Sequence, residues 1–415
     1  VVNNQLLREI SFRINMISTP VSLRSILDND FYKITMQQGV IRLFPGARVR
    51  YKFINRGMHS FVPGFATALR NAVDEMALLQ LTKAEKHFLR ETCPYLDPVY
   101  LDFLEGYRYN PDEIHIKQTD DQLEVTIEGY WYRTILWEVP LMSLICELYY
   151  TLNHEHRVSN DEIAAITKDK IEAYYQLGVK IAEFGTRRRY AYDVHRIVVQ
   201  ALKQYGDGAF VGTSNVHMAM LNKTKPIGTH AHEWFMFHAA RYGFKMANGI
   251  GLENWVKVYR GDLGIALSDT YTTDVFLSQF DKMFSKLFDG VRHDSGDPLL
   301  FADKVIEHYQ SLGIDPLSKT IIFSDALNYQ KVATIANHCH NRIGVSFGIG
   351  TNFTNDAGPT AMNIVIKMTD AKPESGEWSP VVKLSDEHNK YTGSKKMISL
   401  AKRILDITDI ENEGD

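Results

Sequence analysis

Apolar positions in the first 140 residues change period several times, which predicts an α+β region rather than a run of one element type. Phe31 to Gly39 follows Asp28-Asn29-Asp30, a cluster of helix-capping residue types, and is predicted as a short helix. Arg48 to Asn55, RVRYKFIN, alternates aromatic and branched residues with polar ones, the pattern of a half-buried strand. Residues 66 to 90 bring Leu69, Val73, Met76 and Leu79 near one helical face. Glu113 to Lys117 and Leu123 to Tyr132 predict two further strands joined by a turn at Asp120-Asp121.

The middle of the chain has another rhythm. Short apolar segments alternate with longer helical stretches: Ile181–Phe184, Phe210-Val211, Pro226-Ile227, Gly264–Leu267, Val291, Ile321–Phe323 and Ile343–Phe347. Each runs into a polar or glycine-rich segment, as expected of a parallel sheet with chemistry at the carboxyl ends of its strands. An open α/β sheet would show the same periodicity; we expect an irregular (β/α) barrel. Met362–Met368 predicts one more strand, followed by a polar loop from Lys372 to Pro380 and an acidic tail from Asp409 to Asp415. The expected division is an N-terminal α+β domain over 1–140, rejoined by 370–415, and an α/β barrel catalytic domain over 141–369. No internal repeat or coiled coil is visible.

Composition narrows the function classes. The chain has 415 residues, 45% of them hydrophobic, which is enough for a sizeable core. Its 46 Lys+Arg against 50 Asp+Glu give a net charge of −4, with no sign of a nucleic-acid or acidic-membrane binder. The longest apolar runs, such as Leu141 to Ile145, are too short to span a bilayer, and VVNNQLLREI lacks the order of a signal peptide. Cys93, Cys146 and Cys339 are far apart, without metal-ligand or disulfide spacing. The expected location is the cytoplasm.

Candidate chemistry sits at the strand ends. Glu183-Phe184-Gly185-Thr186-Arg187-Arg188-Arg189 carries three arginines suited to a phosphate or carboxylate, though a solvated basic turn would read the same. Gly228-Thr229-His230-Ala231-His232-Glu233 offers two histidines as proton carriers, ligands or nucleophiles toward phosphorus. Zinc is a weak reading there, because no third ligand accompanies them in sequence. In Arg292-His293-Asp294-Ser295-Gly296-Asp297, Arg292 could hold a small carboxylate while Asp294 orients a ribose hydroxyl or a Mg²⁺-bound ligand. Asp297 reads as a helix cap. Gly348 to Asn352 could bring backbone N–H groups to an anion, or be a plain turn. Asp269 and Asp325 are either further site residues or helix caps.

These segments together, with Asn29-Asp30-Phe31-Tyr32-Lys33-Ile34-Thr35-Met36, resemble bacterial nicotinate phosphoribosyltransferases over nearly the whole chain. The resemblance implies an irregular barrel of the type II phosphoribosyltransferase kind with a smaller α+β domain. It implies nicotinate, 5-phosphoribosyl-1-pyrophosphate and ATP as substrates, Mg²⁺ as the cofactor, and a homodimer in some members. By the same resemblance, Tyr32 and Phe184 flank the pyridine ring near Arg187, with Tyr32 supplied by the neighbouring subunit in related dimers. Thr229 and Arg292 contact nicotinate, and Asp294 orients the ribose. Asp325, Gly350 and Thr351 hold phosphoribosyl groups, and His232 is transiently phosphorylated, with Glu233 or another acid expected to orient its opposite ring nitrogen and Glu233 and Asp294 counted with it as catalytic. His230 beside it leaves the choice of histidine open. Residue identities name no metal ligand. A nicotinamide- or quinolinate-directed transferase, or a non-catalytic nucleotide-binding regulator, would share much of this pattern.

Overall fold

Strand β1 (Arg48–Asn55) buries Val49, Tyr51 and Phe53 and turns the residues between them outward, as its alternation predicts. The computed structural model describes residues 22–387 and 390–407, so the readings made on Val1–Ile10 and on Asp409–Asp415 lie outside the described residues. β1 pairs antiparallel with β3 (Gln122–Tyr130) and with β10 (Ile364–Lys372). With β2 (Ile114–Thr119) and β11 (Ser379–Pro380) they form a five-stranded sheet ordered β11-β10-β1-β3-β2.

The short apolar segments of the middle region form a parallel sheet. Its order is β5 (Phe210–Thr213), β4 (Lys180–Glu183), β9 (Gly344–Ile349), β8 (Thr320–Phe323), β7 (Gly290–His293) and β6 (Ile265–Leu267). The fold is therefore α/β, with one parallel and one antiparallel sheet. Pro226-Ile227 differs from the expectation: it makes one bridge, Thr213 to Pro226, with Ile227 N donating to Thr213 O at 2.8 Å. Proline has no N–H to extend a ladder. Two residues on, the Thr229 hydroxyl donates to the Ile265 carbonyl of β6 at 3.0 Å. The segment thus touches both edge strands, with backbone pairing on the β5 side and a side-chain bond on the β6 side.

Helix α1 (Phe31–Leu43) runs one turn beyond its prediction and is buried from Lys33 to Val40 whatever the polarity of the position. The helix expected over 66–90 is two helices, α2 (Phe65–Glu75) and α3 (Lys83–Thr92). Thr82 and Glu85 form a reciprocal capping box that starts α3 afresh, so the break has a local cause. Helix α4 (Glu138–Leu152) packs on α2 and β10. The stretch Trp131–Leu152 has the length and hydropathy of a membrane span, but 72% of its apolar window is buried inside the protein. It serves as core. Helices α5 (His232–Tyr242) and α6 (Ala247–Tyr259) pack together, and Trp131, Trp234 and Trp255 are fully buried around them.

A candidate active site at the strand ends

His232 opens α5, where the extended residue Ala231 turns the chain into the helix. Its imidazole is held from two sides: Nδ1 lies 3.0 Å from Thr270 Oγ1, and Nε2 lies 3.0 Å from Asp294 Oδ2. Asp294 follows β7, and its other oxygen accepts the Ser324 hydroxyl at 2.9 Å. Burial and nearby Lys383 lower the His232 pKa to about 4, despite the carboxylates of Asp269 and Asp294, so the ring is neutral at neutral pH. Burial alone would raise the Asp294 carboxyl, but Arg292 and His232 hold it well below the usual range. A neutral imidazole against an ionised carboxylate follows.

Charged side chains flank that pair. Arg292 NH2 lies 3.8 Å from Asp294 Oδ2, its NH1 donates to the His230 carbonyl at 3.3 Å, and its buried Nε donates to nothing. Asp269, at the end of β6, places Oδ1 3.9 Å from His232 Nε2, and that oxygen is likewise buried without a hydrogen-bond partner. His230 is absent from this group. It is fully buried with both ring nitrogens unpartnered, edge-on to Phe235 and Trp255.

The comparisons with known proteins agree on one family. The nicotinate phosphoribosyltransferase N-terminal domain model matches residues 27–146, and the nicotinate phosphoribosyltransferase family model matches 179–409. The chain belongs to the nicotinate phosphoribosyltransferase family. A nicotinate phosphoribosyltransferase of Chromohalobacter salexigens is 62% identical over 383 residues, covering 92% of this chain and 98% of the relative. One from Desulforapulum autotrophicum is 47% identical over 92% and 99% of the two chains. The crystal structure of nicotinate phosphoribosyltransferase from Porphyromonas gingivalis superposes with a TM-score of 0.90 at 43% identity, covering 93% of this chain and all of that one. The Vibrio cholerae structure gives 0.88 at 34%, covering 94% and 95%.

In this nicotinate phosphoribosyltransferase family member the arginine cluster divides its labour. Arg189 is buried and pairs with both oxygens of Asp28 at 2.7 and 2.8 Å, so it ties β4 to the segment before α1. Arg187 instead lies beside Tyr32 and 3.7 Å from Glu138 Oε1. The Tyr32 backbone packs against Gly228, where an added Cβ would stand 2.9 Å from its nitrogen. Phe184 lies over Gly348, where an added Cβ would sit 2.3 Å from the ring.

One expected residue is placed differently, and the surroundings of Gly350, Thr229, Asp325 and Asp297 are also defined. Glu233 does not orient His232; its Oε1 pairs with the buried Lys33 ammonium at 2.7 Å, and Lys33 also meets Glu138 Oε2 at 2.6 Å. Gly350 opens a helix of only four residues, Thr351–Thr354, and a Cβ there would meet the Phe184 carbonyl oxygen at 3.2 Å. Its small size makes room for the backbone of Phe184 and Gly185, which follows β4. Thr229 donates its hydroxyl to Ile265, so only its oxygen lone pairs remain for a ligand. Asp325 follows β8 and pairs with Lys390 at 2.7 Å, while Asp297 caps the helix Pro298–Ser311, as its sequence suggested.

The sequence reading missed the lysines. Lys383 lies 3.7 Å from Asp269 Oδ2, and Lys390 reaches both Asp325 and, at 3.5 Å, the Asp294 carbonyl. They arrive on a segment held across the strand ends. Leu384 N donates to Thr270 O, Asp386 accepts from Thr273 N and Oγ1, and Glu387 accepts from Gly296 N. Lys367 of β10 joins them, donating to Thr392 Oγ1 at 2.5 Å. Nothing in VVKLSDEHNK separates these lysines from solvated ones.

Proposed function

We propose that this chain forms nicotinate mononucleotide from nicotinate and 5-phosphoribosyl-1-pyrophosphate, with ATP hydrolysis coupled through a phosphorylated His232. Family membership supports the transfer, and one observation carries the coupling: a neutral imidazole clamped between Thr270 and an ionised Asp294. Such a ring is a nucleophile whose orientation is already fixed.

In the transfer, the pyridine nitrogen lone pair attacks the anomeric carbon of the ribosyl group. The carbon–oxygen bond to pyrophosphate breaks, and its electron pair leaves with pyrophosphate. Phe184 and Tyr32 would flank the flat ring, and Arg187 and Arg292 would pair with its carboxylate. The unpaired Arg292 Nε is a donor in need of such an acceptor. Asp294 would orient the ribose, and Lys383, Lys390 and Lys367 would neutralise the departing pyrophosphate. Asp325, Gly350 and Thr351 complete the phosphoribosyl side. In the coupled step, an imidazole nitrogen takes the γ-phosphoryl group and ADP departs; water later takes that group as phosphate.

Mg²⁺ fits this donor set through oxygen. Asp269 Oδ1 is buried and unpartnered beside Asp294, and the two carboxylates would hold the ion with phosphate oxygens completing its shell. When bound, it would supply charge neutralisation at the phosphates.

We further propose that the parallel sheet is an irregular barrel whose rim is completed by 226–229 between β5 and β6. The smaller α+β unit would then take both chain ends, the chain re-entering it at Ile364, where β10 pairs with β1. Three buried free thiols, Cys93, Cys146 and Cys339, suit a reducing cytoplasm.

A product-resolved assay with nicotinate, nicotinamide and quinolinate, with and without ATP, tests the reading. Fastest turnover with nicotinate and stimulation by ATP are expected. Faster turnover with either other pyridine would replace the substrate, and nucleotide binding without pyrophosphate release would make the chain a regulator.

A further inference from the structure

We propose that His232, Asp269 and Asp294 bind a borderline-soft divalent cation of the zinc class in the substrate-free protein. One nitrogen of His232 and one oxygen of each aspartate lie within 4.8 Å of one another. Nε2 stands 3.0 Å from Asp294 Oδ2 and 3.9 Å from Asp269 Oδ1. Ligands bonded tetrahedrally at the Zn–N and Zn–O lengths lie about 3.3 Å apart, so the two separations bracket what one zinc ion demands.

The second observation is the state of Asp269. It is 1% exposed, and its Oδ1 accepts no hydrogen bond, so an acceptor is buried facing His232 and Asp294 without a donor. A buried, unsatisfied carboxylate oxygen is costly, and a cation relieves it. The third is the ring of partners behind the ligands. His232 Nδ1 is held by Thr270, Asp269 Oδ2 accepts the Ser295 hydroxyl, and Asp294 Oδ1 accepts the Ser324 hydroxyl. Each would-be ligand therefore has its remaining polar atom fixed, the outer shell that orients metal ligands. Because a threonine hydroxyl both donates and accepts, Thr270 is satisfied by either imidazole tautomer, including the one that frees Nε2 for a metal.

The chemistry separates this site from the use of Mg²⁺ above. Mg²⁺ keeps to oxygen ligands and octahedral geometry, whereas imidazole favours zinc and its neighbours. Three protein ligands leave a fourth position for water or a phosphate oxygen. Lys383 and Arg292, 3.7 and 3.8 Å from the aspartates, offset part of the negative charge and make the site weaker than a closed structural one. A cation on Nε2 and the hydrogen bond from Nε2 to Asp294 exclude one another. If His232 accepts phosphate, as proposed above, the cation also blocks that step; the binding itself does not depend on that reading.

The test is direct titration of the purified full chain, free of nucleotide and Mg²⁺, with Co²⁺ as a visible probe. One equivalent should develop the intense absorption of a four-coordinate ion, and Zn²⁺ should displace it. D269N should weaken binding at least tenfold and H232N should abolish the band, with folding of each checked by circular dichroism. D294N is read in the same way should D269N fail to fold. A weak six-coordinate spectrum, or a band that persists in H232N, overturns the site. The separate step of adding ATP after Zn²⁺ and looking for phosphohistidine tests only the exclusion: phosphorylation at undiminished yield would overturn that part.

Discussion

The carboxylate of Glu233 turns away from its neighbour His232 and closes on the Lys33 ammonium, 2.7 Å away and out of contact with solvent. Glu138 takes the other side of Lys33 and faces Arg187, so a row of alternating charges runs from the start of α5, buried at Glu233 and Lys33 and opening to solvent at Arg187. Removing the central cation should destabilise far more than removing one end. K33M is expected to cost about 3–5 kcal/mol, the usual loss when a buried pair is broken. E233Q should lower Tm less and still form phosphohistidine. Loss of phosphohistidine in folded E233Q would return Glu233 to the catalytic group.

His232, and not His230, is expected to be the phosphoryl acceptor. The former is reached from the strand-end side, whereas the latter is enclosed by Phe235 and Trp255. Neutral-pH mass spectrometry after ATP exposure should find phosphohistidine in H230N and none in H232N. The reverse result would move the acceptor.

Arg292→Ala should weaken nicotinate more than nicotinamide, because the unpaired Nε and the charge matter only to the carboxylate. A charge-assisted bond is worth about 1.5–3 kcal/mol, or roughly tenfold to a hundredfold in affinity. Equal losses for both ligands would assign Arg292 to holding Asp294 alone.

Lys367 supplies a pH dependence. Burial, with Arg56 and Lys383 nearby, lowers its pKa to about 7 from 10.5. Between those values the unfolded chain holds a proton that the folded one has lost, so this group makes the protein more stable as pH rises through that window. Anion binding should run the other way, weakening above pH 7 as the charge disappears. Calorimetry of pyrophosphate binding at pH 8 in two buffers of different ionisation heat should show proton uptake, absent in K367M. Uptake unchanged in K367M would clear Lys367 of the role.

What was legible in the sequence follows from range. The strands were visible because burial imposes a period that local residues display, as in Arg48–Asn55 and at the strand ends carrying Glu183, Asp294 and Asp325. The division among Arg187, Arg188 and Arg189 was not, because the partner that removes Arg189 from the surface, Asp28, belongs to a distant segment. The choice between His230 and His232 stayed open because two histidines two apart share a side on a strand but not on a turn. The chain instead enters a helix at His232, and their rings part. Lys383 and Lys390 were invisible for a third reason: what makes them special is the segment's path, not its composition.

Arg48 pairs with Lys372, so the strand that begins the antiparallel sheet waits for nearly the whole chain before that flank is covered. During translation, the β10-facing edge of β1 is open to pairing with another nascent chain until the last segment emerges. Lys383 and Lys390 arrive later still, on the segment following β11. A stop codon between β11 and Lys383 would therefore release a polypeptide that carries the strands of both sheets and every motif of the strand ends, yet lacks Lys383 and Lys390. Messages truncated there should yield protein that accumulates without turning over substrate.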